Sequence, residues 1–120
     1  EAAFDIAKTV SARCIICFTM SGSTARRIAR ERPQVPLLVL TPKAATARRL
    51  GLLWGVHAVT TRDVASFEEM VAKAKRMALR HGIGGGGDNV IIMAGVPFGT
   101  PGSTNVLHVV RLTGQELKAR

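Results

Sequence analysis

The sequence predicts an α/β fold, a mostly parallel sheet covered by helices on both faces with an antiparallel last strand at one edge. Two observations carry this. The runs "CIICF", "PLLVL" and "NVIIMAG" are apolar without alternation, as strands buried on both faces must be, and helical patterns separate them. The last connection, "VPFGTPGSTN", contains no helix, so the strand after it should return antiparallel to the one before.

The elements follow in order. In "AAFDIAKTV", Ala3, Ala7 and Val10 recur at helical spacing, with Phe4 and Ile6 beside them. "CIICF" (14–18) is the first strand. Residues 24–32 are helical, Ile28 and Ala29 facing inward and arginines outward, until Pro33. "PLLVL" (36–40) is the second strand. Thr41 and Pro42 open a helix, Pro42 in its first turn, with Ala47, Leu50 and Trp54 on one face and Gly55 closing it. "VHAVT" (56–60) is the third strand. Ser66 and Glu69 form a capping box for a helix whose apolar stripe is Phe67, Met70, Val71, Ala74, Met77 and Ala78. Gly82 stops that helix. "GIGGGGD" reads as a flexible connector, since no Gly-Lys-Ser/Thr completes a P-loop. "NVIIMAG" (89–95) and "VLHVVRL" (106–112) are the last two strands, the second an apolar edge that invites pairing with another subunit.

Composition sets the bounds. A chain of 120 residues, 47% apolar and 21% charged, suits one folded domain over residues 1–120. No apolar run reaches the roughly 20 residues of a membrane span, and no secretory pattern opens the chain, so a cytoplasmic location is expected. Lys and Arg total 17 against 8 acids, for a net charge of +9, so anionic partners come into view. The basic residues are spread over several segments and no aromatic residues interleave with them, which argues against a nucleic-acid platform. Cys14 and Cys17 have the spacing of a redox or zinc pair but lie in a strand, where an offset of three sends side chains to opposite faces. They are expected to be buried structural thiols. His57, His81 and His108 are scattered, the acids Asp63, Glu68, Glu69 and Asp88 find no histidine partner, and no metal-ligand cluster emerges. The chain reads as a binding module with no catalytic residue and no metal site of its own.

A phosphate is what it would bind. If the first three strands step one way and the fourth returns beside the first, a crevice opens between strands one and four. The segments entering it would be "TMSGST" and "GVPFGTPGSTN", both rich in glycine and hydroxyls. Helix-start amides and Ser/Thr hydroxyls suit a phosphate. A plain cap by Ser21 or Ser23 and an ordinary Pro/Gly turn explain the same residues more simply. Convergence of the two segments favours the phosphate.

Five features in order, Thr19 to Ala25, Arg32-Pro33 with Pro36, the Thr46-Ala47-Arg48 helix with Gly55-Val56, Gly87-Asp88, and Gly95 to Asn105, closely resemble the C-terminal domain of pyruvate kinase. The resemblance covers nearly the whole chain. It implies a three-layer α/β/α domain with a five-stranded mixed sheet. It also implies a regulatory and interface role in a homotetramer, beside the enzyme's own catalytic barrel, which this chain lacks. In regulated members, an activator phosphate sits in the loop matching Thr19, Met20, Ser21, Gly22, Ser23 and Thr24. The loop matching Gly99, Thr100, Pro101, Gly102, Ser103 and Thr104, through Asn105, closes over the sugar. Where members activated by fructose 1,6-bisphosphate carry a base, this chain aligns Glu69 and Met70, so monophosphates (ribose 5-phosphate, glucose 6-phosphate, AMP) stand beside the bisphosphate. Magnesium and potassium are implied for the intact enzyme, which transfers phosphate from phosphoenolpyruvate to ADP; the chain alone is expected to be inactive. The alternatives are a free-standing phosphometabolite-binding protein of the same fold and a basic nucleic-acid-binding domain.

Overall fold

The computed structural model describes residues 12–19, 23–30, 35–53, 55–62, 66–96 and 104–113. The helical pattern expected at 2–10, and Trp54, lie outside them. The elements are β1 (Cys14–Phe18), α1 (Ser23–Arg30), β2 (Leu37–Thr41), α2 (Ala44–Leu50), β3 (Val56–Thr60), α3 (Phe67–Arg80), β4 (Asn89–Val96) and β5 (Thr104–Arg111). One sheet holds all five strands in the order β3-β2-β1-β4-β5. β1, β2, β3 and β4 run parallel, and β5 pairs antiparallel with β4 at the edge, from Asn89 opposite Arg111 to Val96 opposite Thr104.

Strand alternation divides the apolar residues into two cores. Ile15, Cys17, Leu37, Val39 and Ile91 face one side, against Ala25 of α1 and Leu50 of α2. Cys14, Ile16, Leu38, Leu40, Val90 and Ile92 face the other, against Met70, Ala74 and Ala78 of α3 and against Leu112. Full burial of each Ile or Leu contributes about 1.5–3 kcal/mol, so strands apolar on both sides gain most when helices cover both. That produces the three layers, with α1 and α2 on one face and α3 on the other. Cys14 and Cys17 are free thiols that belong to different cores, as the offset of three required. Burial pushes both up to about 12.

α3 is the helix with the clearest signals. The Ser66 hydroxyl accepts from the Glu69 amide at 3.1 Å, satisfying one orphan donor of the first turn. At the other end, the Ile83 amide donates to the Ala78 carbonyl at 3.0 Å and the Gly82 amide to Leu79 at 3.1 Å. This is a Schellman motif, and Gly82 takes the φ of +68° that it needs.

Two readings of the sequence need correction. α2 starts at Ala44, not in the turn of Pro42, and closes at Gly51, not Gly55. The Thr41 hydroxyl accepts from the Lys43 amide at 3.2 Å, so a local side-chain turn holds this backbone, and Lys43 at the N-cap is extended. The glycine-rich segment 84–87 is no flexible connector. The Gly85 amide donates to the Asp88 carboxylate at 2.8 Å and the Asp88 amide to the Gly85 carbonyl at 3.0 Å. The Gly87 amide then donates to Leu112 at 2.7 Å and the Leu112 amide to Asp88 at 2.8 Å, extending the β4–β5 pairing beyond the strands. Gly84 is required for room, because a Cβ there would meet Cδ1 of Leu112 at 2.8 Å.

Candidate functional site

In this strand order the chain steps from β1 outward through β2 to β3, then returns across the sheet to β4 on the other side of β1. The switch point therefore lies between β1 and β4, neighbouring parallel strands with Cys17 opposite Met93. Thr19 follows the end of β1. Its amide donates to the Leu40 carbonyl at 3.1 Å, so the ladder to β2 holds its backbone at the carboxyl edge. Ser23 and Thr24 form the start of α1. Thr104 opens β5 directly opposite Val96, the last residue of β4. Both segments singled out in the sequence are thus anchored at the same end of adjacent strands. Met20, Ser21 and Gly22, and Gly99, Thr100, Pro101, Gly102 and Ser103, lie outside the described residues.

The helix starts at this end of the sheet differ in charge. α1 has no acidic residue in its first turn, leaving the positive end of its dipole uncompensated. α3 places Glu68 and Glu69 in its first turn, which answers its own dipole and disfavours an anion. Lys43 after β2 and Arg62 after β3 are exposed at the same carboxyl end. The Lys73 ammonium donates to the Arg62 carbonyl at 2.8 Å, holding that turn against α3. α2, like α1, carries no acidic residue in its first turn.

Residues 1–110 match the family described as pyruvate kinase, alpha/beta domain. This chain belongs to that family. A pyruvate kinase of Methylorubrum extorquens is 46% identical over 112 residues, covering 93% of this chain and 23% of that protein. One from Agrobacterium vitis is 44% identical over 110 residues, with 92% and 23% covered. Among solved structures, Cryptosporidium parvum pyruvate kinase in complex with ADP superposes with a TM-score of 0.81 at 32% identity, covering 92% of this chain and 22% of that one. The chain thus spans about a quarter of the length of these pyruvate kinases.

Among the described residues no three or more His, Cys, Asp or Glu side chains converge on a common point. No described helix is long and apolar enough to cross a membrane. One pairing escaped the sequence reading. His57 and His81, 24 positions apart, meet with Nε2 and Nδ1 at 3.3 Å. His57 is near the start of β3 and His81 caps the end of α3, so both lie at the amino end of the sheet, opposite the switch point. Their spacing in the chain gives no signal. The order of elements does, since a helix entering at the carboxyl end must finish at the amino end.

Proposed function

We propose that residues 1–120 form a single regulatory and oligomer-interface domain of a pyruvate kinase that binds a phosphorylated sugar or nucleotide between residues 19–24 and 99–105. The observation that carries this reading is the switch point between β1 and β4, with Thr19, the acid-free start of α1 and the Val96–Thr104 pair around it. A phosphate there would take donors from Thr19, Ser23, Thr24 and the first amides of α1. Gly22 would let the backbone approach, and Gly99 to Thr104 would close over the sugar. Regulation would then be linkage: the effector favours one arrangement of the subunit interface, which biases the distant active site. Phosphoryl transfer from phosphoenolpyruvate to ADP, with magnesium and potassium, is assigned to a catalytic barrel outside these 120 residues, in the cytoplasm. The chain alone would bind and not catalyse.

A thermal-shift titration tests the site, with fructose 1,6-bisphosphate, ribose 5-phosphate, glucose 6-phosphate, AMP and inorganic phosphate as ligands. A hundredfold excess over the dissociation constant stabilises the folded chain by about 2.7 kcal/mol. A selective shift that disappears in the S23E/T24E double variant, with the fold retained, supports the site. A shift that survives the double variant moves it elsewhere. β5 carries the interface half of the reading: among the described residues no strand pairs its outer edge, and Val109 is 38% exposed. Sedimentation at rising concentration should show self-association that V109K weakens; a strict monomer would count against it.

A further inference from the structure

At the amino end of the sheet, far from the switch point, two imidazoles are held edge against edge, with their rings tilted, by elements the fold has already fixed. We propose that His57 and His81 form a chelating site for a borderline divalent transition metal, zinc being the reference ion. The ring centroids are 5.0 Å apart with planes tilted by 58°, and Nε2 of His57 lies 3.3 Å from Nδ1 of His81. That separation fits a hydrogen bond, and it also fits a metal. Two nitrogens bound to a tetrahedral zinc at about 2.0–2.1 Å from the ion are about 3.3–3.4 Å apart. A metal needs each lone pair swung about 35° off the line joining the nitrogens, a small ring rotation for exposed side chains.

The backbones beneath the rings are fixed. His57 lies in the β2–β3 ladder opposite Leu38. His81 is the C-cap of α3, its amide bonded to the Met77 carbonyl at 3.0 Å and the following turn closed by the Schellman bonds. Both residues are exposed, so water can complete the coordination shell. Binding requires the tautomers with protons on Nδ1 of His57 and Nε2 of His81. The ion then takes the place of the shared hydrogen, and neutral imidazoles release no net proton. The neutral form is favoured at His81, whose pKa is lowered by desolvation, then by His57 and by Arg80. Arg80 and the net charge of +9 oppose a cation, so nitrogen ligation and not bulk attraction must supply the affinity. A hard, oxygen-seeking ion such as magnesium gains nothing here.

The test is a thermal-shift titration of the 120-residue chain with zinc and, separately, magnesium at constant ionic strength and pH 7.5, repeated on His57→Gln and His81→Gln. The expected result is a saturable rise with zinc and none with magnesium, with zinc affinity at least tenfold weaker in either variant. Acidification to pH 5.5 should weaken the rise, since imidazole ligates only in its neutral form. The melting temperatures of the metal-free variants report that they fold. No rise with zinc in the unsubstituted chain, or a rise that both variants keep, overturns the proposal, the second outcome placing the metal elsewhere.

Discussion

A methyl group added at Gly84 would stand 2.8 Å from Cδ1 of Leu112, a side chain with no exposure in a filled core. Gly84→Ala should therefore cost about 1–3 kcal/mol, the usual range for overpacking, and lower Tm by several degrees. Gly85→Ala meets only ordinary contact, 3.7 Å from the Asp88 carboxylate, and should be near neutral in the same scan. Cys14 and Cys17, fully buried and raised to about 12, should resist a thiol-specific disulfide reagent at pH 7.5 until denaturant is added. Rapid labelling of the native chain would contradict this. His81 makes stability depend on pH. Its pKa is lowered in the fold by desolvation, His57 and Arg80, so the unfolded chain binds the proton more readily. The associated stability is complete above the ordinary imidazole value of about 6.5 and is lost as pH falls through the lowered folded value. In buffer with a chelator, Tm should drop between pH 7.5 and 5.5. His57→Gln should shrink that drop without abolishing it, since desolvation remains.

Among the elements, α3 depends most visibly on one side chain. Ser66→Ala removes the acceptor for the Glu69 amide and should cost about 1 kcal/mol, while Ser66→Gly should cost only a few tenths, both read as Tm. Strand β1 is legible to the residue because its apolar run buries both faces, and β3 is legible as the short segment between the Gly55 turn and the Ser66 cap. β2 begins one residue later than "PLLVL" suggests, at Leu37, whose amide donates to the Gly55 carbonyl at 3.0 Å, a bond that Pro36 has no N–H to make. β5 begins two residues earlier than its apolar run, since Thr104 and Asn105 continue the ladder with β4 although their side chains give no hydrophobic signal. The glycine run was misread because composition reports permissive backbone, whereas the turn is fixed by Asp88 and by Leu112, 24 positions beyond Asp88. Of the candidate site, the sequence disclosed which segments leave β1 and β4. That these strands are neighbours follows only from the crossover through α3.

For the whole molecule, the two cores share one sheet, so loss of packing on either face exposes the other side of the same strands. β4 is the strand through which the antiparallel hairpin and the parallel sheet meet. Its pairing with β5 brings together Val96 and Thr104, eight positions apart, whereas its pairing with β1 brings together Cys17 and Met93, 76 positions apart. Closing the longer segment costs about 2 kcal/mol more in chain entropy. The hairpin can thus assemble while β1 is still remote, and β4 would dock already carrying its antiparallel neighbour. Stopped-flow measurements can read this order. Val110→Ala, in the hairpin, should mainly slow folding, while Leu37→Ala, under α2 at the far side of the sheet, should mainly speed unfolding. The arrangement also gives the nascent chain a hazard: β1 and β2, apolar on both faces, must wait for β4, which is synthesised only after α2, β3 and α3.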